Sequence, residues 1–206
     1  LFLNVQKTLS TFLIPMGIGL WFYRDLATYI LFGSQWKEAG NIIGIMSVTI
    51  VMRTILVSFY SDAYRAKGKF QIPLYLQVLD IIILVPMCIF SLKSGFWALV
   101  YARAFVRLDL VIPEMIAVWW ICKITPVDTI RVLLHPLIAT VAMTIMILFI
   151  KDINQGVVWQ FVSIAVAAIV YFVVLFLFKE EREKYLKPFF SKYGKYISDK
   201  NYENHE

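Results

Sequence analysis

Two stretches, residues 132–150 and 157–178, contain no Asp, Glu, Lys or Arg. As helices each is long enough to cross a hydrocarbon layer about 30 Å thick, which takes roughly 20 residues at about 1.5 Å apiece. Runs this apolar need a hydrocarbon or fully enclosed setting. With 60% of the 206 residues hydrophobic and a mean hydropathy of +0.73, the chain has too little polar surface to enclose them in a water-soluble domain. The sequence therefore reads as an all-α, polytopic membrane protein, a helix being able to satisfy its own backbone in lipid.

The net charge of +6 does not point to nucleic acid, because the Lys and Arg residues gather in a few loops and at the carboxy-terminal end, as membrane orientation requires. Cys88 and Cys122 fall in different apolar stretches without CxxC spacing, and the two histidines, His135 and His205, form no cluster. Neither a disulfide framework nor a metal site is expected, and the cysteines read as small buried apolar residues. The chain opens on Leu1 inside an apolar stretch with no basic leader, and it reads as the carboxy-terminal part of something longer.

Hydropathy and punctuation divide the chain into about six spans: residues 8–23, 39–64, 70–92, 96–120, 132–150 and 157–178. Residues 26–32 read as an interfacial segment, residues 1–178 as a six-span bundle, and residues 179–206 as a basic cytoplasmic tail. The loops at 65–69 and 123–131 together with the tail hold twelve Lys and Arg residues, against four in the alternate loops. The positive-inside rule places the first group, and both ends of the chain, in the cytoplasm of a cell whose plasma membrane the bundle crosses.

Charges within the spans carry the functional expectation. Arg53, Asp80 and Asp109 lie about 15 Å from the inner ends of their spans and Arg107 about 20 Å, so opposite charges share one level. Embedded charges are costly unless paired or hydrated, and they mark candidate transport sites. With the fourth span as one helix, Arg103, Arg107 and Glu114 at spacings of four and seven share a stripe, with Asp109 projecting the other way. Two bland readings stand beside this: an Arg53–Asp80 pair can simply fix helix packing, and Arg103 can snorkel outward. Glu114 reads as an ordinary interfacial carboxylate. Pro15, Pro73, Pro86 and Pro113 bend the first four spans, whereas the last two (131–178) have no interior proline or charge and read as a lipid-facing periphery. His135, beside Pro136, reads as interfacial at a helix start.

Several short motifs resemble a known family. The run Leu31-Phe32-Gly33-Ser34-Gln35-Trp36-Lys37-Glu38-Ala39, the turn Arg65-Ala66-Lys67-Gly68-Lys69, the pair Val85-Pro86 and the run Ser94-Gly95-Phe96-Trp97-Ala98-Leu99 are similar to the carboxy-terminal region of polysaccharide-biosynthesis flippases. These belong to the multidrug/oligosaccharidyl-lipid/polysaccharide exporter superfamily. The similarity covers residues 1–122. It departs at Trp97, where members carry small residues that let helices approach closely.

The resemblance implies the carboxy-terminal lobe of a two-lobed transporter, which flips a polyprenyl-pyrophosphate-linked oligosaccharide across the membrane by alternating access. Arg53, Arg103 and Arg107 would then bind pyrophosphate through guanidinium forks. Asp80, Asp109 and Glu114 would pair those charges or couple a proton or sodium ion. No cofactor is implied; the partners are the lipid-linked glycan and membrane lipids. A multidrug exporter of the same superfamily is the alternative. An integral-membrane glycan-modifying enzyme is more distant, since the sequence has no DxD, HxxxxD or Cys/His pair.

Overall fold

The computed structural model describes residues 2–154, 156–179 and 181, and among them the regular structure is helical throughout. The helices are α1 (Phe2–Phe22), α2 (Arg24–Phe32), α3 (Ala39–Arg53), α4 (Phe59–Ala66), α5 (Gln71–Leu92), α6 (Phe96–Val106), α7 (Val111–Cys122), α8 (Pro126–Ile150) and α9 (Val157–Leu177). A π turn, Thr54–Ser58, joins α3 to α4.

Among the described residues four helical stretches are long and apolar enough to cross a membrane: Ala39–Ala66, Gln71–Leu92, Pro126–Ile153 and Val157–Leu177. The remaining two of the six expected spans differ for separate reasons. Helix α1 is 21 residues long, but its amino-terminal half carries Asn4, Gln6, Lys7, Thr8, Ser10 and Thr11, and it buries Gln6, Ser10 and Thr11 against its neighbours. The expected fourth span is not one helix: α6 ends at Val106 and α7 begins at Val111. Pro113 supplies the cause. It occupies the first turn of α7, where its missing N–H costs least, and its ring crowds the carbonyl of residue 109, so that a continuous helix there is disfavoured. The single stripe of Arg103, Arg107 and Glu114 therefore does not exist.

The prolines also fall differently from expectation. Pro15 and Pro86 lie inside helices, Pro73 is in the first turn of α5, and Pro136 sits within α8. Proline thus does not separate the first spans from the last two. Helix α8 starts earlier than the hydropathy run, at Pro126, because Thr125 caps it reciprocally with Asp128. His135 is consequently well inside α8, stacked on Phe178 with ring centroids 4.4 Å apart, and 3.3 Å from Glu181, which also meets Lys7 at 2.8 Å. Apart from Lys179 and Glu181, the expected tail and His205 lie outside the described residues. Both cysteines are free and half-buried.

Packing follows fourfold spacing. Ala139, Met143 and Ile147 on α8 and Ser163, Ala167, Tyr171 and Leu175 on α9 form matching stripes, and all of these but Ser163 join Tyr23 and Leu26 in one buried cluster. Tyr23 hydrogen-bonds Ser163, and Tyr171 donates to the Thr11 carbonyl at 2.5 Å, tying α9 to α1. Helix α1 also packs on α3, where Ser47 donates to the Gly17 carbonyl at 3.1 Å. Helix α5 is the opposite case: Asp80 is its one buried residue. Large apolar side chains such as Val158, Leu177 and Phe149 are more than 70% exposed, as suits a hydrocarbon surround.

Candidate functional site

Arg53 is the last residue of α3, directly before the π turn. Its Nη2 donates to Asp80 Oδ2 at 3.1 Å, and Gln77, one turn earlier on α5, donates to the same oxygen at 3.3 Å. The pairing of these two charges, anticipated from their common depth, is thus present in the fold. Asp80 is 7% exposed, so two donors on one carboxylate matter to it.

Beside this pair lies a cavity of about 260 Å³. Its walls come from three helical stretches: Arg53, Ser61 and Arg65 from Ala39–Ala66, Gln77 from α5, and Glu114 from α7. Glu114 corrects an expectation. Rather than sitting at an interface, it is 1% exposed, because the break after α6 turns the first turn of α7 inward against α4. Ser61 donates to its Oε1 at 3.3 Å, and Tyr64 donates to its backbone carbonyl at 3.0 Å. Its Oε2 is closed to solvent and has no hydrogen-bond partner among the described residues.

The other charges do not line the cavity, although Arg107 and Asp109 lie near enough to feel the charges of Arg53 and Asp80. Arg103 is exposed on the last turn of α6, Arg107 is half-buried just past that helix, and Asp109 is half-buried in the turn that follows; none lines the cavity. Arg107 Nε is nevertheless closed to solvent without a partner among the described residues. Of the expected group of six, Arg53 and Glu114 thus line one polar space and Asp80 joins it through its pair with Arg53, while Arg103, Arg107 and Asp109 lie at or beside the break between α6 and α7.

Ser61, Gln77 and Arg65 were missed as site residues. Gln77 had a signal, standing three positions before Asp80 and so on the same helix face. Ser61 and Arg65 had none, since their phase relative to Arg53 depends on the π turn. With Asp62 also in the lining, acids and bases balance around the cavity, so it offers donors and acceptors of both signs. Among the described residues no three His, Cys, Asp or Glu side chains come together in a way that could hold a metal. A second cavity, about 670 Å³, is almost wholly apolar and lies between α1, α3, α8 and α9.

No family model, no curated protein and no solved structure matches this chain.

Proposed function

We propose that this chain is the carboxy-terminal lobe of a two-lobed membrane transporter that flips a polyprenyl-pyrophosphate-linked oligosaccharide from the inner to the outer leaflet of the cell membrane. The observation that carries the reading is the polar cavity walled by two membrane-length helices and α7, lined by Arg53 and Glu114, with Asp80 paired to Arg53 beside it. Charged side chains and interrupted helices are tolerated in hydrocarbon where they line such a space, and transporter sites are commonly built there. A volume of about 260 Å³ suits a headgroup fragment such as a pyrophosphate or one sugar, with the lipid tail left in the bilayer. Arg53 would exchange Asp80 for phosphate oxygens as substrate enters, while Asp80 and Glu114 take up a proton or sodium ion. The cavity adjoins the turn at 67–70, which the Lys and Arg asymmetry assigns to the cytoplasm, so loading would occur from inside.

A second reading is favoured by one feature, the buried carboxylate of Glu114 in a cavity of balanced charge: export of a small organic cation by the same architecture. The two separate in one experiment on the full-length protein, which compares export of lipid-linked glycan with efflux of a lipophilic cationic dye, each normalised to protein amount. Loss of glycan export in Arg53→Ala, with partial recovery in Arg53→Lys, supports the flippase, since charge survives while the bidentate fork is lost. Loss of dye efflux in Glu114→Gln with glycan export intact supports the cation exporter. Normal export of both in an Arg53→Met, Asp80→Leu double variant assigns that pair to packing.

A further inference from the structure

The π turn separates Arg53 from the residues that follow it into the cavity wall. Such a turn takes in one residue more than an α turn, and so holds its flanks in a phase that an unbroken helix cannot give. In an unbroken α-helix Arg53 and Ser61 would point about 80° apart, and Arg53 and Arg65 about 120° apart. Removing one residue from the count brings both pairs to within about 20°. Arg53, Ser61 and Arg65 do face the cavity together, so this stripe exists because of the extra residue.

What grips the extra residue comes from another helix. Gln6 of α1 is 0% exposed, and its Nε2 donates to the Ile55 carbonyl within the π turn at 3.2 Å and to the Tyr60 hydroxyl beyond it at 3.1 Å. Tyr60 is in turn held by Thr129 of α8 at 2.8 Å. One buried amide therefore touches both the wide turn and its following flank. A side chain that inserts into a helical ladder in this way is a recognised cause of local irregularity.

We infer that Gln6 is a positioning residue of the candidate site: it holds the π turn open and thereby directs Arg53 toward Asp80 and the cavity. Without that donor the turn closes toward α geometry, and Arg53 swings by about 100° relative to the Ser61 and Arg65 stripe. The inference rests on the shape of the cavity wall and not on what crosses it.

The test uses the full-length protein in native membranes, with Cys88→Ser and Cys122→Ser as background and Arg53→Cys with Asp80→Cys as a pair for a short bifunctional thiol reagent. Adding Gln6→Leu, which keeps the volume and removes the donor, is expected to lower cross-linking about fivefold, the population shift that one net hydrogen bond supports. Thr129→Val releases Tyr60 but leaves the Ile55 carbonyl held, and should leave cross-linking unchanged. Deleting Leu56 converts the turn to a plain α-helix of matching phase, so Gln6→Leu in that background should cross-link fully. Unchanged cross-linking in Gln6→Leu overturns the inference. So does an equal loss in Thr129→Val or a failure of the deletion to rescue, since either shows general loosening. Should Gln6→Leu alone fail to accumulate, the deletion background decides: accumulation with cross-linking supports the inference, and its absence overturns it. A cross-link reads the direction of Arg53, so this result is independent of any export assay.

Discussion

Arg53 and Asp80 meet at 3.1 Å from two consecutive membrane-length helices, and Asp80 is the single buried residue of its helix. Removing one member of such a pair leaves the other buried without a counter-charge, at a cost of about 3–5 kcal/mol for a fully enclosed pair. Arg53 keeps 21% of its side chain exposed, which puts Arg53→Ala at the lower end, about 3 kcal/mol. The expected result is a lowered thermal midpoint in mild detergent, largely restored in Arg53→Met, Asp80→Leu. An unchanged midpoint in Arg53→Ala would mean that solvent already satisfies Asp80.

Three glycines should respond differently to alanine. A Cβ at Gly17 would come within 2.8 Å of Val51 Cγ2, a branched side chain with little freedom to move. At Gly44 the 2.8 Å neighbour is Arg24 Cδ, part of a long flexible chain, and at Gly19 nothing lies within 4 Å. Gly17→Ala is therefore expected to cost about 1–3 kcal/mol, Gly44→Ala less, and Gly19→Ala to be neutral or stabilising by up to about 1 kcal/mol. Denaturation midpoints of the three variants would rank them, and a reversed order of Gly17 and Gly19 would refute the described contact of α1 with α3.

Tyr64 is fully buried and donates to the Glu114 carbonyl at 3.0 Å. Tyr64→Phe should cost about 1 kcal/mol by removing a buried hydrogen bond from a carbonyl that keeps its own helical partner. Ser61→Ala, which removes a longer contact of 3.3 Å from a half-buried group, should cost less than about 1 kcal/mol. Equal losses would show that α7 is not anchored through its backbone.

Orientation is open to a direct check. Cysteines introduced at Ser94 or Gly156 should react with an impermeant reagent from outside intact cells, and one at Gly68 only after permeabilisation, given twelve Lys and Arg residues on one side against four on the other. Labelling at Gly68 in intact cells would invert the assignment.

Much of the architecture was legible because hydropathy alone marks a long apolar helix. Residues 157–178 were read almost to their observed end, and the meeting of Arg53 with Asp80 followed from their common depth. The two interruptions were not legible for opposite reasons. At 107–110 the sequence does carry a signal, Pro113, but a proline ends a helix as readily as it bends one, and the sequence alone does not choose between the two. At Thr54–Ser58 there was no local signal. The segment holds no Pro or Gly, and its wide turn touches Gln6, 49 residues distant from Ile55, so tertiary structure was needed to reveal it. The burial of Glu114 depends on the first interruption and the Ser61 stripe on the second, which is why the site was half-seen.

The short turn at 67–70 has a consequence for how the chain enters a bilayer. It joins the helix bearing Arg53 directly to the helix bearing Asp80. An aspartate delivered alone to hydrocarbon during synthesis would resist partitioning, by about 2.5–3.5 kcal/mol at mid-depth. Here its counter-charge belongs to the segment emerging just before it, so the two helices can partition as one neutralised hairpin. Lengthening that turn should then impair insertion of Gln71–Leu92 while leaving Ala39–Ala66 unaffected.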